Sequence, residues 1–179
     1  MPPGTLAGAL RAYARSVLEH LRDGTQGARA MRLAALPSAR RTRHERLTRI
    51  VALMTERTIT AGFEITGWDE RPAVVEAHSV AIVRKRFGGP LEATSVAELL
   101  ALQNDGGAGY VASERVEGVL DGRAGSFVIQ HGGVSGATGE RAFGHVVPGS
   151  GTGDLAGLHG DAVFAHDDAG ARLTLTYGL

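Results

Sequence analysis

From position 61 to the C-terminus, apolar and polar residues alternate with a period of two, in short runs separated by Gly, Pro, Asn and Asp clusters. The runs predict strands at 61–68, 78–87, 91–103, 109–120, 123–134, 140–147, 158–166 and 172–179. Eight short strands at such spacing predict an all-β antiparallel barrel or sandwich. One run reads two ways: Ser95-x-x-Glu98 ahead of "LLALQ" is also a capping box, which would make that stretch a short helix.

Upstream the period changes. Leu6, Leu10, Tyr13, Val17 and Leu21 fall at helical spacing and stop at Asp23-Gly24. Thr42-x-x-Glu45 opens a second helical pattern through Leu47, Ile50, Val51 and Met54, and the stretch between the two patterns reads as loop or disorder. Composition changes at the same point. Residues 1–53 hold 10 arginines against 3 acids, a charge of +7, whereas 54–179 hold 9 basic and 16 acidic residues, a charge of −7. Of the 26 glycines, 4 precede Met54 and 22 follow. The expectation is therefore two parts: an Arg/Ala-rich extension over 1–53, helical or disordered and upstream of a start at Met54, and a β-barrel domain over 54–179. The extension reads alternatively as a lid, an oligomerisation helix or a basic arm.

The acidic second part offers no broad basic surface to a phosphate backbone, so nucleic acid is not an expected partner. No apolar run reaches the 18 residues of a membrane-spanning helix, and the first 25 residues lack a secretory apolar block. A membrane is likewise not expected, and the default location is cytoplasmic. The chain has no cysteine, which removes disulfides, thiol nucleophiles and thiolate metal sites.

The segment Tyr110 to Val134, "YVASERVEGVLDGRAGSFVIQHGGV", carries the chemistry. Asp121-Gly122 signals a two-residue type I′ turn and so sets a register: Leu120 opposite Arg123, Val116 opposite Phe127, Glu114 opposite Ile129, Ala112 opposite His131. Ala112, Glu114, Val116, Gly125, Phe127, Ile129 and His131 then share the more apolar face, which should point inward. Glu114 and His131 become diagonal neighbours and the candidate acid/base pair. Desolvation is expected to raise the Glu114 pKa. The competing reading is a self-satisfied structural pair. Trp68, Phe127 and Ile129 are candidate ligand-wall residues; Arg115 and Gln130 join them if a bulge at Gly118 or Gly125 swaps the faces.

Gly151-x-Gly153-x-x-Ala156 matches a dinucleotide fingerprint in form, but no helix follows, and no lysine completes a Walker loop. It reads instead as an irregular corner that lets a curved sheet close. There is no G-x-S-x-G elbow around Ser126, Ser135 or Ser150. His159 with Asp161, and His166-Asp167-Asp168, lack recognised ligand spacing, so no metal and no cofactor are expected.

The segments "TAGFEITGWDE", "ERVEGVLDGRAGSFVIQHGG" and "VVPGSGTGDLAGLHGDAVF" resemble, over about residues 56–179, a bacterial family known as domain of unknown function 3224, whose members look like allene oxide cyclase barrels. The resemblance implies an eight-stranded antiparallel barrel of calycin-like shape with a central cavity. It carries over the motif positions Glu114, Arg115, Gly125, Ser126, Phe127, Gln130, His131 and 149–153, without a role for any of them. The expected function is binding of an apolar or amphipathic small molecule, with isomerase or cyclase chemistry by substrate enclosure as a further possibility. The alternatives are a non-catalytic carrier and a filled structural barrel. A homodimer or homotrimer is the expected assembly.

Overall fold

A computed structural model describes residues 56–137, 139–167 and 170–179. The predicted helices upstream, the extension over 1–53 and the start at Met54 lie outside the described residues.

Eight antiparallel strands follow one another around a ring: β1 (Arg57–Arg71), β2 (His78–Gly88), β3 (Leu91–Asn104), β4 (Gly107–Leu120), β5 (Arg123–Gly136), β6 (Gly139–Val146), β7 (His159–Asp167) and β8 (Gly170–Gly178). β1 pairs with β8 from Arg57↔Tyr177 to Gly62↔Arg172, closing the barrel and leaving no free sheet edge there. Each predicted run is a strand. The ambiguous one is β3, where Leu91, Ala93, Ser95 and Ala97 alternate inward against exposed Glu92, Thr94, Val96 and Glu98. Ser95 thus points into the barrel rather than capping a helix.

The β4–β5 hairpin has the predicted register along its whole length, without a bulge at Gly118 or Gly125. Its turn residues Asp121 and Gly122 adopt φ of 47° and 80°, the left-handed pair a type I′ turn requires. Tyr177 on β8 donates a 2.6 Å hydrogen bond to the Asp121 carboxylate, tying the turn to the last strand.

The lower half of the barrel is packed solid. Phe87, Leu91, Val116, Leu120, Phe127, Leu173 and Leu175 fill it, and Leu155 and Leu158 enter from outside the strands. They come from the glycine-rich segment, which contains only a single 3₁₀ turn, Gly153–Leu155. The irregular corner thus closes one end of the barrel. Before turning in, it runs along the edge of β5 that β6 leaves uncovered, bonding Val147 N to Val128 O, Thr152 N to Ser126 O and the Ser150 hydroxyl to Val128 N. Gly125 makes this approach possible, because a Cβ there would lie 2.1 Å from the Thr152 carbonyl oxygen.

Ser126 faces away from the barrel interior yet is buried, covered by Thr152, whose hydroxyl accepts from Ser126 N at 3.1 Å and bonds the Ser126 hydroxyl at 2.8 Å. Thr152→Val keeps the shape and strands the Ser126 N–H. It should lower stability by about 1–2 kcal/mol, seen as a lower urea midpoint with an unchanged slope.

β6 and β7 share one ladder pair, His145↔Asp161. This seam is the least-zipped junction of the ring. No helix among the described residues is long and apolar enough to cross a membrane.

Candidate functional site

Above the packed half, period-two alternation aims four polar side chains from four consecutive strands at one point. They are Lys85 of β2, Ser95 of β3, Glu114 of β4 and His131 of β5, all buried. Glu114 is the hub and is fully buried. Lys85 Nζ donates to its Oε2 at 2.5 Å, the Ser95 hydroxyl donates to Oε1 at 2.5 Å, and His131 Nε2 lies 3.1 Å from Oε2. Aromatic rings close the cluster: Lys85 Nζ sits 4.5 Å from the Phe164 ring centroid and 5.3 Å from that of Phe63, while His131 and Phe164 rings are 4.4 Å apart.

The electrostatics differ from the sequence expectation in sign. Burial does push the Glu114 pKa upward, but the His131 hydrogen bond, the Lys85 charge and the hydrogen bonds of Lys85 and Ser95 together outweigh it. They hold the carboxyl at about 2. The expectation of a raised pKa is corrected because single-strand reasoning supplied the desolvation and could not supply Lys85 and Ser95. Burial lowers the His131 pKa, and Lys85 adds to this; the hydrogen bond and charge of Glu114 offset only part of it. At neutral pH the cluster is then ammonium, carboxylate and neutral imidazole, with no net charge.

An ionised carboxylate only accepts, so the proton of neutral His131 resides on Nε2 and points at Glu114. Nδ1 is left as an acceptor, and the Tyr110 hydroxyl lies 3.3 Å from it. Tyr110, His131 and Glu114 therefore form a hydrogen-bonded chain from a half-exposed phenol to the buried carboxylate. Tyr110 and Phe164 also line a cleft of about 320 Å³ that runs along the β6–β7 seam beside Gly144 and Ala162.

Around the cluster the inner wall is small: Ala81, Ala97, Ala101 and Ala112. Trp68 packs over it, against Leu99, Val83, Ala81, Ala97 and Ala101. Simple alternation from Phe63 would turn Trp68 outward. A bulge between Ile65 and Gly67 resets the phase and pairs Trp68 with Val83 on the inner face. Its indole Nε1 is shielded from solvent and has no hydrogen-bond partner among the described residues.

The predicted site residues separate into three groups. Glu114 and His131 meet, as the register requires. Trp68 joins them at the alanine-walled end, but Phe127 and Ile129 are inward residues of the packed core, and Phe127 lies in the filled lower half. Arg115 and Gln130 remain exposed on the outer face because the hairpin has no bulge; Arg115 pairs with Glu117 and donates to the Ser126 hydroxyl at 3.1 Å. Lys85, Ser95 and Tyr110 are the residues sequence reasoning missed. One signal was available for Lys85: it is the only lysine in the chain, all 18 other basic residues being arginine. Among the described residues no three His, Asp or Glu side chains are grouped to hold a metal; His145 and Asp161 pair on the surface at 2.6 Å.

Comparison with known proteins agrees with this architecture. The family described as "Protein of unknown function (DUF3224)" matches residues 59–177. A crystal structure of a protein with unknown function from the DUF3224 family of Shewanella oneidensis MR-1 is similar, with 33% identity and a TM-score of 0.62, over 68% of this chain and 96% of that one. No curated protein matches the chain.

Proposed function

This chain belongs to the DUF3224 family of proteins of unknown function, and from that premise we propose that its barrel binds a small amphipathic molecule at the alanine-walled end, with the polar head group at the Lys85–Glu114–His131 cluster. The observation that carries the proposal is the cluster itself: a buried lysine, carboxylate and imidazole joined through Tyr110 to a cleft. Buried ion pairs are often no more stabilising than apolar residues of the same volume, so one placed beside a cleft fits a binding role.

The charge balance selects the ligand. A site whose charges already cancel favours a neutral head group such as a hydroxyl or carbonyl. A carboxylate would bring a second negative charge beside Glu114. Phe164, Trp68 and the alanines suit an apolar tail, and the indole N–H of Trp68 is a donor available to a ligand oxygen.

Trp68 is the only tryptophan and so reports on the site. Octanol and octanal should each shift its emission saturably, and octanoate should bind at least about tenfold more weakly, the penalty of one poorly compensated buried charge. Equal or tighter binding of octanoate would contradict the neutral-head-group assignment. Silence from all three probes would remove the binding reading.

A second reading, isomerisation of the bound molecule, is favoured by the Tyr110–His131–Glu114 chain. It offers a path for a proton between the cleft and the buried carboxylate. A carrier returns its ligand unchanged; an isomerase does not. The domain proposal that accompanies both is a barrel unit over 54–179 and a separate extension over 1–53.

A further inference from the structure

We propose that Lys85 captures the carbonyl group of an aldehyde or ketone ligand as a protonated imine. This rests on the small-molecule-binding reading and names its ligand class.

The first support is the choice of cation. The chain uses arginine at every other basic position, including Arg84 and Arg86 on either side of Lys85. Those neighbours point outward and are exposed, whereas Lys85 alone points in and is buried. A guanidinium stays protonated and cannot act as a nucleophile, while an amine can lose a proton in a desolvated site. The single exception to arginine therefore falls where an amine has a chemical use.

The second support is the neighbourhood. Glu114 Oε2 lies 2.5 Å from Nζ, close enough to take a proton, and the His131 hydrogen bond and Ser95 hold the carboxylate in place. Phe63 and Phe164 flank the amine with apolar ring faces. Phe164 touches both Lys85 and His131 and also lines the seam cleft, so it is the side chain a ligand entering there meets before Nζ.

The reaction balances within these groups. Glu114 takes one proton from the Lys85 ammonium in a transient minor form, since the ammonium itself helps to hold the carboxylate ionised, and the freed amine lone pair forms the C–N bond as the carbonyl π pair moves to oxygen. Glu114 returns the proton to that oxygen, giving a carbinol attached to a protonated secondary amine. Glu114 then removes a proton from nitrogen and passes it to the hydroxyl, which leaves as water while the nitrogen lone pair forms C=N. The net change is carbonyl plus ammonium to protonated imine plus water. The positive charge stays on the Lys85 nitrogen opposite Glu114, so the cluster remains neutral and no charge is buried without a partner.

The 179-residue sequence carries one side-chain amine, Lys85, beside its N-terminal α-amine. Incubation with octanal and cyanoborohydride, followed by peptide mapping, should find one reduced octyl group on Lys85 in addition to any on the N-terminus. Lys85→Arg should lose the internal adduct and keep the terminal one, and Glu114→Gln should slow internal labelling at least about tenfold. The wild-type map decides the question even if a variant fails to fold. Saturable Trp68 shifts with octanol and octanal but an octyl group on the N-terminus alone would overturn the imine and leave the binding reading standing. No shift with either probe and no internal adduct would overturn both.

Discussion

Glu114→Ala should destabilise the barrel by about 3–5 kcal/mol, the cost of leaving a buried charge without its partner. The substitution removes the acceptor of Lys85, Ser95 and His131 at once, and the Lys85 ammonium then faces two aromatic rings with no anion. The companion variant Lys85→Met/Glu114→Leu removes both charges together, replaces them with apolar groups of similar volume and should recover most of the loss. Denaturant unfolding of these variants measures both effects, and adding the single variants Lys85→Met and Glu114→Leu closes a double-mutant cycle that isolates the coupling. A single-variant cost below about 1 kcal/mol, typical of exposed pairs, would mean that Lys85 and Glu114 are solvated in solution.

Acid should unfold the protein in two stages. A depressed pKa in the fold means that protons bind more tightly to the unfolded chain, so stability falls as pH falls. His131 acts first: its folded pKa lies below the ordinary 6.5, and its contribution is present above that value and erodes as pH drops below it. Glu114 follows. The interval between 4.5 for a free glutamate and about 2 in the fold corresponds to about 3 kcal/mol, present above pH 4.5 and lost by about pH 2. The groups facing the pair are Lys85, Ser95, Tyr110 and Phe164, and only Lys85 among them is a cation near neutral pH. Urea midpoints measured from pH 8 to pH 3 should decline throughout. In Lys85→Met/Glu114→Leu the decline below pH 4.5 should flatten, because the carboxyl responsible is gone. A midpoint that rises toward pH 5 would reverse the assigned directions.

Loss of stability and loss of ligand have different signatures. The acid profile and the cluster variants report on how the barrel holds its buried charges. Trp68 emission reports on what enters, and Trp68 packs on the apolar wall beside the cluster. A variant that folds but no longer responds to octanol therefore locates binding rather than folding.

The strands, their order of appearance, the Asp121-Gly122 turn and the meeting of Glu114 with His131 were all legible in the chain. Alternation of apolar and polar residues dictates a face, and a two-residue turn with positive φ dictates which residues oppose each other; both are local rules of backbone geometry. The identity of Lys85 and Ser95 as partners of Glu114 was not legible. They lie 29 and 19 residues away on β2 and β3, and their meeting with Glu114 depends on the registers of the β2–β3 and β3–β4 ladders, which the Asp121-Gly122 turn does not set. The inward turn of Trp68 depends on one bulged residue between Ile65 and Gly67, and the plugging of the barrel end by Leu155 and Leu158 depends on a loop with no period. The sign of the Glu114 shift was likewise decided by tertiary structure. Desolvation is a property of the strand face and could be anticipated, but the compensating charge and hydrogen bonds come from side chains on three other strands, brought within about 3 Å by the registers of the ladders between β2 and β5.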